Sequence, residues 1–168
     1  PRGQLSILAG RPGMGKSAAA TSFLLRAAKA NHNCQFLSLE MTGEQLGSRM
    51  LTDLAFVADS PINYDDIQHH RLDDRQRERL RTARKQLSGL PIEVVDQRGL
   101  TLADIQAKAR RRAAALDRKG ERLDVLFVDH IGLVHASERY AGNRVRELAE
   151  ITDTLATLAK ELDCAVVG

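Results

Sequence analysis

Tryptophan is absent from this 168-residue chain, and two tyrosines and four phenylalanines hold the aromatic content to 4%. A nucleic-acid surface built on stacked aromatic side chains is therefore disfavoured. Cysteine is equally scarce. Cys34 and Cys164 lie in separate apolar, strand-like runs without CxxC spacing, so they read as reduced core thiols of a cytoplasmic protein rather than as a disulfide or metal pair. No apolar run approaches the about 18 residues that span a bilayer, so no membrane association is expected. The start, Pro1-Arg2-Gly3-Gln4, carries neither an initiator Met nor an apolar leader, and reads as the beginning of an excerpt from something longer. Neither charge sign dominates: 25 Lys and Arg face 22 Asp and Glu, a net +3 that suits a polyanionic partner without requiring one. The remainder, 43% hydrophobic and 28% charged, is that of one soluble domain over residues 1–168.

Short apolar runs alternate with longer helical stripes. A buried strand is expected over 5–9, then a Gly/Pro turn and a helix over 16–31. A second strand covers 35–39, and Thr42 with Gln45 forms a capping box that opens the next helix. Residues 60–71 read as a connection, followed by a charged helix over 73–87. A short strand at 92–95 precedes a helix capped by Thr101, with Leu102, Ile105, Ala109, Ala113 and Leu116 on one face. Val125-Leu126-Phe127-Val128 has the composition of a strand buried on both sides. A long amphipathic helix starts near Val145, and 164–167 form a last strand. Strand and helix in alternation predict an α/β fold with a mostly parallel sheet sandwiched by helices.

Gly10-Arg11-Pro12-Gly13-Met14-Gly15-Lys16-Ser17, with Ala18 following, satisfies GxxxxGK[ST] between a strand and a helix. Its glycines let successive N–H groups turn inward onto phosphate oxygens, and the helix start adds its positive end. Lys16 would reach the β- and γ-phosphates, and the Ser17 hydroxyl would ligate Mg²⁺. Asp129 closes the 125–128 strand on the side where ligands gather in open α/β sheets, which suits a second magnesium ligand. Asp124, at the other end of that strand, is expected to be merely solvated. Glu40 ends the second strand on the nucleotide side. It is a candidate general base for the water attacking the γ-phosphate, or else a charge near the helix cap.

Taken in order, GRPGMGKS, Ser38-Leu39-Glu40-Met41, Val128-Asp129-His130-Ile131-Gly132-Leu133 and Asn143-Arg144 before a final helix resemble the RecA-like motor domain of DnaB-type replicative helicases. The resemblance runs over nearly the whole chain, and the SLEM element is its most specific part. It implies a RecA-like P-loop NTPase fold, incomplete at the C-terminus. It also implies a hexameric ring with ATP and Mg²⁺ at subunit interfaces, and translocation on single-stranded DNA. Primase and a helicase loader would bind through regions outside this chain. It makes Glu40 the base, Lys16 and Ser17 the phosphate and magnesium residues, Asp129 the Walker B acid, and Arg139, Asn143 and Arg144 candidate DNA contacts. Two positions depart from the pattern: His130 and Gly132 stand where the family commonly has Tyr and Gln. His130 is also a candidate γ-phosphate sensor.

Basic stretches at 108–122 (seven basic, two acidic) and 71–85 (seven, three) read more simply as solvated or interface-paired helix faces than as DNA-binding patches. A recombinase or clock-type RecA-like ATPase, and a P-loop kinase, remain the alternatives.

Overall fold

The computed structural model describes residues 1–11, 13–69, 71–135 and 142–168. Five parallel strands form one sheet: β1 (Leu5–Ser6), β2 (Cys34–Ser38), β3 (Ile92–Asp96), β4 (Val125–Asp129) and β5 (Ala165–Val167). Their order is β1-β5-β4-β2-β3, so the phosphate-loop strand and the strand ending in Asp129 are separated by β5. Among the described residues six α-helices connect them: α1 (Lys16–Lys29), α2 (Gly43–Leu54), α3 (Tyr64–Gln68), α4 (Asp74–Ser88), α5 (Leu102–Asp117) and α6 (Arg144–Glu161).

Period-two alternation in β2 and β4 divides the core. Cys34, Phe36 and Phe127 face α1 and α2, packing with Leu24, Leu25, Leu46 and Met50. The Phe36 and Phe127 rings stack there at 5.6 Å between centroids. Leu37, Leu126 and Val128 face the opposite way, against Ile105, Ala109, Ile151, Leu155 and Leu158 of α5 and α6. A strand hydrophobic in both alternations can sit only between two helical layers, as the 125–128 run predicted.

The expected caps form. Thr42 and Gln45 exchange bonds of 3.2 and 3.1 Å, and Thr101 and Asp104 do likewise at the start of α5. Asp73 and Gln76 build a third capping box for α4. Each box satisfies amide groups that a helix start leaves orphaned, worth about 1 kcal/mol.

Three expectations need correction. The first strand is Leu5–Ser6 rather than 5–9, and it lies at the sheet edge with Ile7 49% exposed, because only β5 pairs with it. The 60–71 connection contains α3, whose Asn63 side chain binds Asp66 at 3.1 Å. Asp124 is not simply solvated. Its side chain is 12% exposed, and it accepts the Asn33 N–H at 2.9 Å while pairing with Arg2 and Arg122 at 3.3 Å and approaching His32 at 3.6 Å. It ties the N-terminal segment, the turn before β2 and the entry to β4 into one electrostatic knot. The 108–122 basic stretch commits Arg110 to a two-bond fork on Glu161 of α6 (2.7 and 2.8 Å), and Arg112 lies 3.6 Å from Glu93. The Arg110 hydrogen bonds hold the Glu161 carboxyl below its ordinary range.

Removing the Asp124 carboxylate leaves the Asn33 amide and the Arg122 guanidinium without this partner, and Arg2 with Asp163 at 3.9 Å alone. Asp124→Ala is expected to lower unfolding free energy by about 1–3 kcal/mol, read from urea denaturation; a change within error would reduce the knot to solvated surface.

Both cysteines are buried and free. Burial, with the Asp124 charge adding to it, pushes the Cys34 thiol up to about 12; burial and Asp163 push Cys164 up to about 11. The unfolded thiols ionise near their ordinary value of 9.0 while the folded ones stay protonated, so this contribution to stability holds below about pH 9 and is lost as pH rises beyond it. Iodoacetamide is expected to spare both thiols in the native protein and to modify both after unfolding. Rapid native alkylation would contradict their placement.

Candidate functional site

The carboxyl ends of β2 and β4 are brought together by the sheet itself. Ser38 lies in register with Asp129, and the Leu39 N–H donates to the Asp129 carbonyl at 2.8 Å. Beyond that bond the chain turns sharply. The Ser38 hydroxyl donates to the Met41 carbonyl at 2.7 Å and accepts the Met41 N–H at 3.2 Å, pinning the two ends of the turn that carries Glu40. Asp96, ending β3, accepts the Gly43 N–H at 2.7 Å and steadies the start of α2. Glu40 itself is 59% exposed. Ser38 belongs to the SLEM element, though nothing in sequence marks its clamp on Met41; Asp96 carries no motif, and its role arises from the pairing of β2 with β3, strands distant in sequence.

The phosphate loop follows β1. Gly13 and Gly15 both sit at φ +81°, a conformation that L side chains rarely adopt, and Gly15 is the residue before α1. A side chain at Gly10 would meet Lys16, whose Cγ lies 3.2 Å from the Cβ position, so the lysine folds back along the loop. Lys16 is the first residue of α1, and no acidic residue stands in the first turn to compete for its positive end. Ser17 is half-buried on the same turn, and its carbonyl accepts the Thr21 hydroxyl at 2.6 Å. Arg11, Met14 and Ala18 are exposed, and Pro12 lies outside the described residues.

Lys16 and Asp129 line one small cleft with Leu8, Ala20, His130 and Gly168. Asp129 is 8% exposed, and among the described residues its Oδ2 has no hydrogen-bond partner. A carboxylate oxygen buried without a donor is costly unless a cation meets it, so the site fits a hard divalent ion bound through oxygen. The Asp129–His130 peptide is cis. His130 Nε2 lies 3.9 Å from Glu40 Oε2, which brings Glu40 to the rim of the Lys16–Asp129 cleft.

The candidate DNA contacts fall differently. Asn143 caps α6, accepting the Arg146 N–H at 3.2 Å. Arg144 turns onto the protein, donating to the Gly132 carbonyl at 2.6 Å and to Glu147 at 2.9 Å. Arg139 lies outside the described residues.

A parallel sheet, a strand–GxxxxGKS–helix unit and an acidic residue closing the strand beyond an inserted β5 define a P-loop nucleotide-binding domain of RecA-like fold. The DnaB-like helicase C terminal domain model matches residues 1–168, and the chain belongs to that family. Similar curated proteins include the replicative DNA helicase DnaB of Geobacillus stearothermophilus, 33% identical over 168 residues, covering 99% of this chain and 35% of the relative. The DnaB of Rickettsia bellii is 34% identical over 175 residues, covering 98% of this chain and 33% of the relative. The chain thus spans about a third of the length of these relatives. A solved DnaB-like replicative helicase, described with its interactions with primase, superposes with a TM-score of 0.86 at 24% identity over 99% of this chain and 38% of that one. A solved ATPase domain gives 0.86 at 23%, over 99% and 57%. Among the described residues no helix is long and apolar enough to cross a membrane.

Asp129→Asn is expected to weaken the magnesium-dependent part of ATP binding while leaving the fold intact. Titration of a fluorescent ATP analogue with and without Mg²⁺ checks this; an unchanged magnesium dependence would exclude Asp129 as a ligand.

Proposed function

We propose that this chain is the ATP-hydrolysing part of a ring-shaped replicative DNA helicase that moves on single-stranded DNA in the cytoplasm. The observation that carries this reading is the buried Asp129 carboxylate, whose Oδ2 has no partner among the described residues, sharing a cleft with Lys16, with Glu40 one strand away. Gly10, Arg11, Pro12, Gly13, Met14, Gly15, Lys16, Ser17 and Ala18 form the phosphate cradle, with loop amides and the α1 dipole directed at the anion. Lys16 holds the β- and γ-phosphates. Ser17 and Asp129 would hold Mg²⁺, which would supply neutralisation of phosphate charge when bound. Glu40, carried on the turn pinned by Ser38, orients the attacking water and takes its proton.

Family membership favours a hexamer with ATP at subunit interfaces over a recombinase, a clock-type ATPase or a small-molecule kinase. Primase and a loader would engage parts of the protein outside this chain. The segment after β4 is the candidate DNA-gripping element, with Arg139 as its cation. Asn143 serves that element as a helix cap, and Arg144 as a brace on Gly132.

In the full-length protein, Glu40→Gln is expected to cut ATP turnover by about 10²–10⁴-fold while nucleotide binding persists. Single-stranded DNA is expected to stimulate the unsubstituted protein and not the variant. Turnover indifferent to DNA would retain the ATPase and discard the DNA motor.

A further inference from the structure

We propose that His130 is a positioning residue for Glu40, and that position 132 is glycine because the His130 imidazole fills the space its side chain would need. The inference deepens the ATPase reading and rests on Glu40 being its base. The two positions at which this chain departs from the family pattern are thus one device.

The geometry fixes the imidazole through Gly132. The Gly132 N–H donates to His130 Nδ1 at 3.1 Å, so the neutral ring carries its proton on Nε2. That nitrogen is the one facing Glu40, 3.9 Å from Oε2. A Cβ on Gly132 would stand 2.7 Å from both Cε1 and Nδ1 of the ring, closer than real Cβ contacts come. The position lacks a side chain because the imidazole occupies that volume. From the other side Arg144 donates to the Gly132 carbonyl at 2.6 Å and holds the turn against the ring.

Glu40 requires such a partner. It is exposed and, among the described residues, makes no hydrogen bond, so its neighbours leave the carboxylate free to rotate. A general base works from one orientation, within about 2.6–3.2 Å of the proton it removes. A movement of about 1 Å brings Glu40 Oε2 within hydrogen-bonding distance of Nε2–H. One carboxylate oxygen is then held by the imidazole and the other accepts the proton of the attacking water. The imidazole keeps its own proton throughout.

The experiment measures steady-state ATP hydrolysis and nucleotide affinity in the full-length protein. The variants are His130→Ala, His130→Gln, Gly132→Ala and the His130→Ala/Gly132→Ala pair, with Glu40→Gln as reference and circular dichroism as the check on folding. His130→Ala is expected to lower kcat about tenfold with KM and ATP affinity unchanged, the size of one lost hydrogen bond to a charged group. His130→Gln, which keeps a donor, retains more of the kcat. Gly132→Ala lowers kcat alone, by displacing the ring, and has no further effect once His130 is alanine.

Equal losses from Gly132→Ala with and without the imidazole would overturn the proposal, as would an unchanged kcat in His130→Ala. Loss of ATP affinity relative to ADP would make His130 a phosphate contact instead. Full turnover in Glu40→Gln would remove the base assignment and this proposal together. Loss in Glu40→Gln with a normal His130→Ala would remove this proposal alone.

Discussion

One backbone hydrogen bond, from the Leu39 N–H to the Asp129 carbonyl, sets the chemistry of this molecule. It is the last rung of the β2–β4 ladder, and it levels the carboxyl ends of two strands whose side chains fill both layers of the core. A slip of one residue in that register would exchange the two faces of β2. Leu37 would then confront α1, and Phe36 would lose its stack on Phe127. The register of the candidate catalytic carboxylates is therefore enforced by apolar packing far larger than any interaction they make themselves.

On that frame the two acids occupy opposite environments. Asp129 is buried beside Lys16 with an oxygen that lacks a donor among the described residues, whereas Glu40 stands in solvent on a turn pinned by Ser38. Burial suits a ligand whose charge a cation will neutralise. Exposure suits a base that must meet water, provided something limits its rotation. The division of labour follows from where each acid sits relative to its strand end: Asp129 is the final residue of β4, and Glu40 lies two residues past the end of β2.

Much of this was legible in sequence because it rests on local rules. The phosphate loop, the Thr42 and Thr101 caps and the doubly buried 125–128 strand each depend on residues close together in the chain. Strand order was not legible, since periodicity identifies strands without saying which ones pair, and the insertion of β5 between β1 and β4 is a long-range outcome. The over-long first strand has the same origin: five apolar-leaning residues look buried until the sheet puts them at its edge. Asp124 was misread because its partners Arg2, Asn33 and Arg122 come from three separate segments, and nothing near it in sequence announces two of them.

Gly132 shows the limit of motif reading most clearly. Read in sequence, His130 and Gly132 are two separate residues with no visible link. In three dimensions the imidazole of His130 and a side chain at 132 compete for one volume, so a Cβ at 132 would require the ring to move. The glycine also carries a hydrogen bond on each side, its N–H to the ring and its carbonyl to Arg144 at the start of α6. A residue without a side chain thereby links the end of the acid-bearing strand to the helix that follows it. A side chain at 132 displaces the ring, whereas removal of the ring frees position 132 to carry one.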